Sequence, residues 1–486
     1  MNPVPKLGIV VVGASGDLAQ TKVIPALFSL YCQHFLPEDF HIFGLARTAM
    51  SHEAFRKKVA ENLACRYAPG ESCADHAEAF LQRCYYCQGQ YSSCDSFLDL
   101  FELMREVEGS GPINRIFYMA IPPSVFEEVA QALGDSGLVA CDDSNGWSRI
   151  VVEKPFGRDR ASSDLLVEEM QMVFTEEMTY RIDHYLGKEI VQNLMVLRFA
   201  NLIFEPLWNH ISIESVSIKW AEPIGVGQRG GYFDGFGIIR DVMQNHLLQI
   251  LALLTMEQPS EFSAAAVRNA KVALLRSISP LTSDRVAVGQ YGAAPHGQQT
   301  AYRDAPNVPA DSITPTYAAA VLQINNPRWQ GVPFYVEAGK ALEHKINEVR
   351  IRFRGVSAGL FMKTGAALQP NELIIRIQPD EAIILKIMNK LPGLGLELVA
   401  TELNLRYQAA FSGLIPDAYE CLLLDVIKGD RSLFIRADEL AAAWDVFTPV
   451  LQQMESERLD PEIYPYGSAG PLAAKALARA YGFPES

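Results

Sequence analysis

Four short stretches of this chain hold residue types that do chemistry, and their spacing narrows which chemistry. Gly13-Ala14-Ser15-Gly16-Asp17-Leu18-Ala19 follows an apolar run and opens a helical one. In that context small residues let the backbone approach a pyrophosphate, which then rests on the positive end of the helix. The spacing is GxxGxxA rather than GxGxxG. Arg47-Thr48 closes the next apolar run, where an NAD site normally offers a carboxylate to the ribose hydroxyls. A guanidinium there suits a 2′-phosphate instead. The loop therefore favours NADP and leaves dual use with NAD open.

The other three stretches are side-chain clusters. Glu153-Lys154-Pro155-Phe156-Gly157 follows a buried strand, so its charges emerge at the carboxyl edge of a sheet, where open α/β sheets bind ligands. Arg181-Ile182-Asp183-His184-Tyr185-Leu186-Gly187-Lys188-Glu189 packs an acid, an imidazole, a phenol and an amine together. Gly231-Tyr232-Phe233-Asp234 leads into Arg240, Asp241, Gln244, Asn245 and His246, with His246 near the start of an otherwise apolar helix. Taken alone, a histidine on a helix is more often structural than chemical.

These clusters need elements to position them. Residues 1–180 alternate apolar runs with helical stretches: LGIVVVG, HIFGLAR, RIFYMAIPP and RIVVEKPFG as strands, DLAQTKVIPALFSLYCQ, SHEAFRKKVAENLACRYA and VFEEVAQALGDSG as helices. The pattern predicts a parallel, doubly wound, Rossmann-like dinucleotide-binding domain. Residues 181–486 read differently. VSIKWAEP, YAAAVLQI, PFYVEAG, VRIRF, ELIIRIQP and EAIILKIM come nearly head to tail, predicting a β+α domain on a large, mainly antiparallel sheet. RDVMQNHLLQILALLTM has apolar positions at helical spacing. Gly289 to Pro315 reads as a long surface loop.

Composition bounds the partners. The 486 residues are 49% hydrophobic and 20% charged, as in a folded protein, with a formal charge of −15. That charge argues against nucleic acid or an anionic membrane as partner, so any bound phosphate needs a local basic pocket. No apolar run is long enough to span a bilayer, and the first residues do not read as a secretory signal. A cytosolic location is expected by elimination. The eight cysteines are then expected as free thiols. Cys84 and Cys87 form a CxxC, but CYYCQGQY reads as a strand that points them to opposite faces. With no second CxxC and no spaced His pair, no metal site is expected.

GASGDLA, EKPFG, RIDHYLGKE and GYFDGFGIIRDVMQNHLLQ together resemble the glucose-6-phosphate dehydrogenase family, in the same order, and the resemblance continues through NELIIRIQP, IPDAYE and PYGSAGP. It implies oxidation of glucose 6-phosphate to 6-phosphogluconolactone with hydride transfer to NADP, by a homodimer or homotetramer paired through the C-terminal sheet. His246 would be the base and Asp183 its carboxylate partner. His184, Tyr185 and Lys188 would clamp the phosphate. Lys154 would bridge sugar and coenzyme, and Glu222, Asp241 and Lys340 would bind the sugar. Gly13, Ser15, Gly16, Asp17, Leu18, Arg47, Tyr118 and Lys154 would hold the dinucleotide. Pro155 would be cis.

One segment departs from the family pattern. PFYVEAGKALEHKINEVRIRF has Glu337 where relatives commonly have Arg, and Ile346 where a phosphate-binding lysine is usual. Lys345 stands where an arginine near the substrate phosphate is usual and keeps its charge. A second, structural NADP site, as in longer animal members, is expected to be lost or weak.

Overall fold

The computed structural model describes residues 6–67, 72–139, 146–295, 297, 299–356, 361 and 368–484. Six strands, β1 (Lys6–Val12), β2 (Phe40–Ala46), β3 (Cys84–Gln88), β4 (Ile113–Met119), β5 (Ser148–Val152) and β6 (Thr179–Arg181), pair in the order β3-β2-β1-β4-β5-β6. Every pairing is parallel. Helices cover both faces, which is why β1 reads as a continuous apolar run instead of an alternating one.

A second sheet holds β7 (Ile213–Ala221), β8 (Val286–Tyr291), β9 (Tyr317–Leu322), β10 (Phe334–Gly339), β11 (Ile346–Phe353), β12 (Glu372–Gln378), β13 (Ala382–Lys390), β14 (Leu398–Arg406) and β15 (Glu462–Tyr464). Their order is β14-β13-β12-β11-β7-β10-β9-β8-β15. The sheet is mainly antiparallel, as expected; β7–β10 and β8–β15 are its parallel pairs. Burial falls along it. β9 and β10 are buried on both faces, β11 alternates, and β14 is largely bare.

Three expectations change. The helix after β1 begins with a π-turn at Ala19–Val23 before continuing as Ile24–Cys32. Pro25 has no N–H and its ring crowds the carbonyl four residues back, so the turn ahead of it widens. The expected long loop begins inside β8 and holds a 3-10 turn at Tyr302–Asp304. Finally, the cysteines are not all free. Cys65 and Cys73 form a disulfide, their Cα atoms 5.9 Å apart and within bridging range. Cys84 is buried and Cys87 half-buried on β3, on opposite faces as read. Cys141 lies outside the described residues.

Candidate active site

The first-half residues singled out above converge on one edge of the parallel sheet. Gly13 follows β1, Arg47 follows β2, Glu153 and Lys154 follow β5, and Asp183 follows β6. Strand order reverses between β1 and β4, and the crevice at such a reversal is where these sheets bind ligands. Gly13 has φ +87°, and a Cβ there would stand 2.3 Å from the Ala120 carbonyl oxygen, so only glycine fits. The Gly16 N–H donates to the Gly13 carbonyl at 2.9 Å and closes the turn. Ser15 Oγ lies 3.2 Å from Thr48 Oγ1, tying the loop to the end of β2. Asp17 and Leu18 start the helix. Arg47 is exposed, its guanidinium held 5.3 Å from the Tyr91 ring centre.

A turn bare of side chains, an open helix start and a positioned guanidinium fit a phosphorylated dinucleotide. Tyr118 is placed differently: it is wholly buried, and its hydroxyl donates to Glu153 Oε1 at 2.6 Å. It lies beneath the crevice instead of lining it.

Across the crevice, His246 Nδ1 stands 2.5 Å from Asp183 Oδ1. The same oxygen accepts the Tyr185 N–H at 2.9 Å. Burial drives the Asp183 carboxyl up, but His246, His184 and that N–H outweigh it and hold it at about 2. Burial lowers the His246 imidazole, with Asp183 opposing and Lys154 assisting. The pair therefore rests as a carboxylate beside a neutral imidazole. A carboxylate only accepts, so Nδ1 carries the proton and Nε2 keeps its lone pair.

His184 packs edge-on against His246, ring centres 4.6 Å apart. Burial, then His246, push its pKa far down, so it is a neutral donor or acceptor and not a second cation. Tyr185 stacks on His246 at 4.3 Å. Its hydroxyl oxygen accepts Trp220 Nε1–H at 2.7 Å and Asn347 Nδ2–H at 2.9 Å, which leaves its own proton to donate. Lys188 Nζ stands 5.1 Å from the Tyr185 ring centre. Burial lowers its pKa, with Glu381 and Asp417 opposing and exposed Lys345 pushing the same way as burial.

The remaining residues are already paired. Lys154 Nζ donates to the Asp241 carbonyl at 2.6 Å and to its Oδ1 at 3.0 Å. Lys340 Nζ donates to Glu222 Oε2 at 3.0 Å. Asp183, His184 and His246 have ligating atoms within 4.8 Å of one another. However, the Asp183–His246 hydrogen bond occupies the facing Nδ1 and Oδ1 that a metal would need.

Residues 10–193 match the family described as "Glucose-6-phosphate dehydrogenase, NAD binding domain", and residues 195–484 match its C-terminal domain. This chain belongs to the glucose-6-phosphate dehydrogenase family. It is 50% identical to the chloroplastic glucose-6-phosphate 1-dehydrogenase 1 of Arabidopsis thaliana, over 98% of this chain and 83% of that one. With the Dictyostelium discoideum glucose-6-phosphate 1-dehydrogenase it shares 48% identity over 98% of this chain and 94% of that one. A solved glucose-6-phosphate dehydrogenase in complex with glucose-6-phosphate superposes with a TM-score of 0.93 at 41% identity, covering 100% of this chain and 99% of that one.

The cytosolic expectation is corrected by these family members. The enzymes of Arabidopsis, spinach, potato and tobacco that this chain matches at 50–51% identity are all named chloroplastic. Elimination failed because a folded catalytic body carries no address in its composition. Among the described residues no helix is long and apolar enough to cross a membrane.

Several site residues escaped the sequence reading. Trp220 and Asn347 are register partners on β7 and β11, and only that pairing aims both at Tyr185. Glu153 is buried between Tyr118 and Tyr419, both of which hydrogen-bond to it. It was read as part of EKPFG, with nothing to show its partners. The alternation of β11, with Asn347 on an inward position, was the one signal available.

Proposed function

We propose that this chain oxidises the C1 hydroxyl of glucose 6-phosphate to 6-phosphogluconolactone, with NADP as hydride acceptor. Family membership supports the reaction. The observation that carries the reading is the buried Asp183–His246 pair: a neutral imidazole with Nε2 free, flanked by Lys154 and Asp241 and by His184 and Tyr185. Nε2 takes the hydroxyl proton, and Asp183 orients the ring and stabilises the imidazolium that forms.

NADP, when bound, accepts the hydride from C1. Gly13, Ser15, Gly16, Asp17 and Leu18 hold its pyrophosphate and Arg47 its 2′-phosphate. Lys154 reaches both ligands, and Tyr118 supports the floor through Glu153. Glu222 and Asp241 exchange their present lysine partners for sugar hydroxyls, with Lys340 alongside. Lys188, Lys345, the Tyr185 hydroxyl and His184 hold the phosphate dianion through charge-assisted hydrogen bonds.

Turnover of NADP with glucose 6-phosphate, and then with glucose, tests the reading. Strong turnover with the phosphorylated sugar alone is expected. Equal rates with glucose would remove the role given to Lys188 and Lys345. No turnover with either would leave a nucleotide-binding regulator as the better description.

Four further assignments belong to this reading. Residues 1–180 serve the dinucleotide, and residues 181–486 serve the sugar and assembly. Subunits pair through the bare β14 end of the large sheet, where Val399, Leu403 and Leu405 are exposed, giving a dimer or a pair of dimers. Light scattering on Leu403→Glu checks this, since a fall to the monomer mass is expected. A second NADP site is lost or weak: Glu337 sits in the pocket of about 170 Å³ under the helix Leu472–Ala480, paired with Lys219 at 2.9 Å and accepting the Tyr317 hydroxyl at 2.5 Å. Glu337, Glu348 and Glu372 occupy Lys219 and Arg350 of that pocket and leave them less able to bind phosphate, so calorimetry should count one tightly bound nucleotide per chain. The enzyme works in a plastid, in keeping with the names of its plant relatives.

A further inference from the structure

The helix that carries His246 is not an α-helix where it meets the site. It is π-wound over Ile239–Leu247 and becomes α-helical only over Leu248–Thr255. The Leu248 N–H accordingly reaches the Met243 carbonyl, five residues back. The winding matters because Asp241 and His246 are five residues apart. In an α-helix such residues point about 140° apart, from 3.6 residues per turn. A turn bonded between residues five apart stacks them on one side. Here Asp241 and His246 lie close enough that each feels the other's charge and both feel Lys154, whose Nζ bonds the Asp241 carbonyl and Oδ1.

The π-turn at Ala19–Val23 is explained by Pro25. The stretch Ile239–Leu247 contains no proline, so another cause must hold it open. Two side chains do so. Lys154 Nζ donates at 2.6 Å into the Asp241 carbonyl, the acceptor five residues before His246. Asn245 works from the other direction. Its Oδ1 accepts the His246 N–H at 2.7 Å, and its Nδ2 donates to the Arg240 carbonyl, five residues back, at 3.0 Å. Asn245 is itself buried, so its amide is committed to this staple.

We propose that Asn245 is a positioning residue, whose amide staples the π-winding that brings His246 and Asp241 to one side of the helix. The inference rests on His246 being the base, and it reaches the reaction only through His246. A loosened staple lets the turn tighten toward α-helical bonding and swings the imidazole off Asp183. Misplacing a reacting group by about 1 Å costs on the order of 100-fold in rate. The Gly13–Leu18 loop and Arg47 lie on other elements, and of the residues assigned to the dinucleotide above Lys154 is the one that bonds this turn.

The test compares Asn245→Ala, Asn245→Asp and His246→Ala as full-length enzyme. It reads kcat, KM for glucose 6-phosphate, NADP affinity and the pH dependence of kcat. Asn245→Asp keeps the size and the acceptor but replaces the Nδ2 donor with a carboxylate oxygen that the Arg240 carbonyl repels, so it too breaks the staple. Both Asn245 variants are expected to lose about 10- to 100-fold in kcat. Their acid limb should shift and their NADP affinity stay unchanged. A kcat within about 2-fold of the parent and an unmoved acid limb, in a folded variant, overturn the proposal while His246→Ala is inactive. If Asn245→Ala does not fold, Asn245→Asp decides by the same criteria. Full turnover in His246→Ala would instead remove the base reading, and this inference with it.

Discussion

The Gly13–Leu18 loop and the sugar site proposed above both suit phosphates, yet they are built in opposite ways. The loop is backbone: Gly13 to Leu18 are consecutive, and their fitness lies in having little side chain. The sugar site is side chain: Asp183 after β6, Glu222 after β7, Asp241 and His246 on the π-wound helix, Lys340 after β10. A backbone site is written into a few adjacent residues. A side-chain site exists only once distant elements have met. The contrast predicts that substitutions in the loop change dinucleotide affinity alone, while those in the sugar site separate rate from substrate affinity.

The sharpest break between the two regions should come from His246→Ala. Removing a general base costs about 10²- to 10⁴-fold in kcat, and NADP affinity should be unchanged by calorimetry. A variant that keeps its rate would mean the proton leaves by another route. Next in size is Gly13→Ala, whose Cβ meets the Ala120 carbonyl oxygen at 2.3 Å with φ at +87°. The loop must shift, and NADP affinity should fall by about 100-fold from strain of a few kcal/mol. Glucose 6-phosphate affinity measured without nucleotide should not move.

Arg47→Ala and Lys188→Gln form a matched pair, each removing one charge-assisted contact worth about 1.5–3 kcal/mol, or roughly 10- to 100-fold. Arg47→Ala should raise KM for NADP and leave NAD untouched. Lys188→Gln should raise KM for glucose 6-phosphate and leave glucose untouched. Crossed effects would erase the division between the two sites.

The smallest effect is one of pH. Burial lowers the His246 pKa from 6.5, so the neutral base persists below that pH, and the acid limb of kcat should lie under 6.5. Stability carries the matching signs. The unfolded chain takes up the His246 proton first, so stability falls as pH drops below 6.5. The Asp183 carboxyl, held at about 2 against 3.8, adds stability that is present above 3.8 and lost as pH falls through about 2. Thermal midpoints measured across this range check both. An acid limb above 6.5 would mean that the Asp183 carboxylate outweighs burial at His246.

What could be read in advance follows the same division. Strands β1, β2, β4 and β5 of the parallel sheet were legible because burial on both faces leaves an apolar run, and the glycine loop because its spacing is local; the three-residue β6 was not read. The helix RDVMQNHLLQILALLTM was legible as a helix but not as a π-wound one, since the Lys154 amine that takes the Asp241 carbonyl comes from far away in the chain, and Asn245 shows its bond to the Arg240 carbonyl only once the turn is formed. The Cys65–Cys73 bridge was misread because a location reached by elimination set the expectation. The neutrality of His184 was not legible either, because it follows from burial beside His246.

By itself the sequence determined the two-sheet architecture, the dinucleotide loop, the NADP-suited Arg47 and, through its resemblance, the family. These depend on residues close together in the chain, whose spacing dictates local backbone geometry. The tertiary structure decided the protonation of the Asp183–His246 pair, the partners of Tyr185 and the present pairing of Lys154 and Lys340. Those depend on burial and on charges brought together from many strands, and neither quantity exists until the chain has folded.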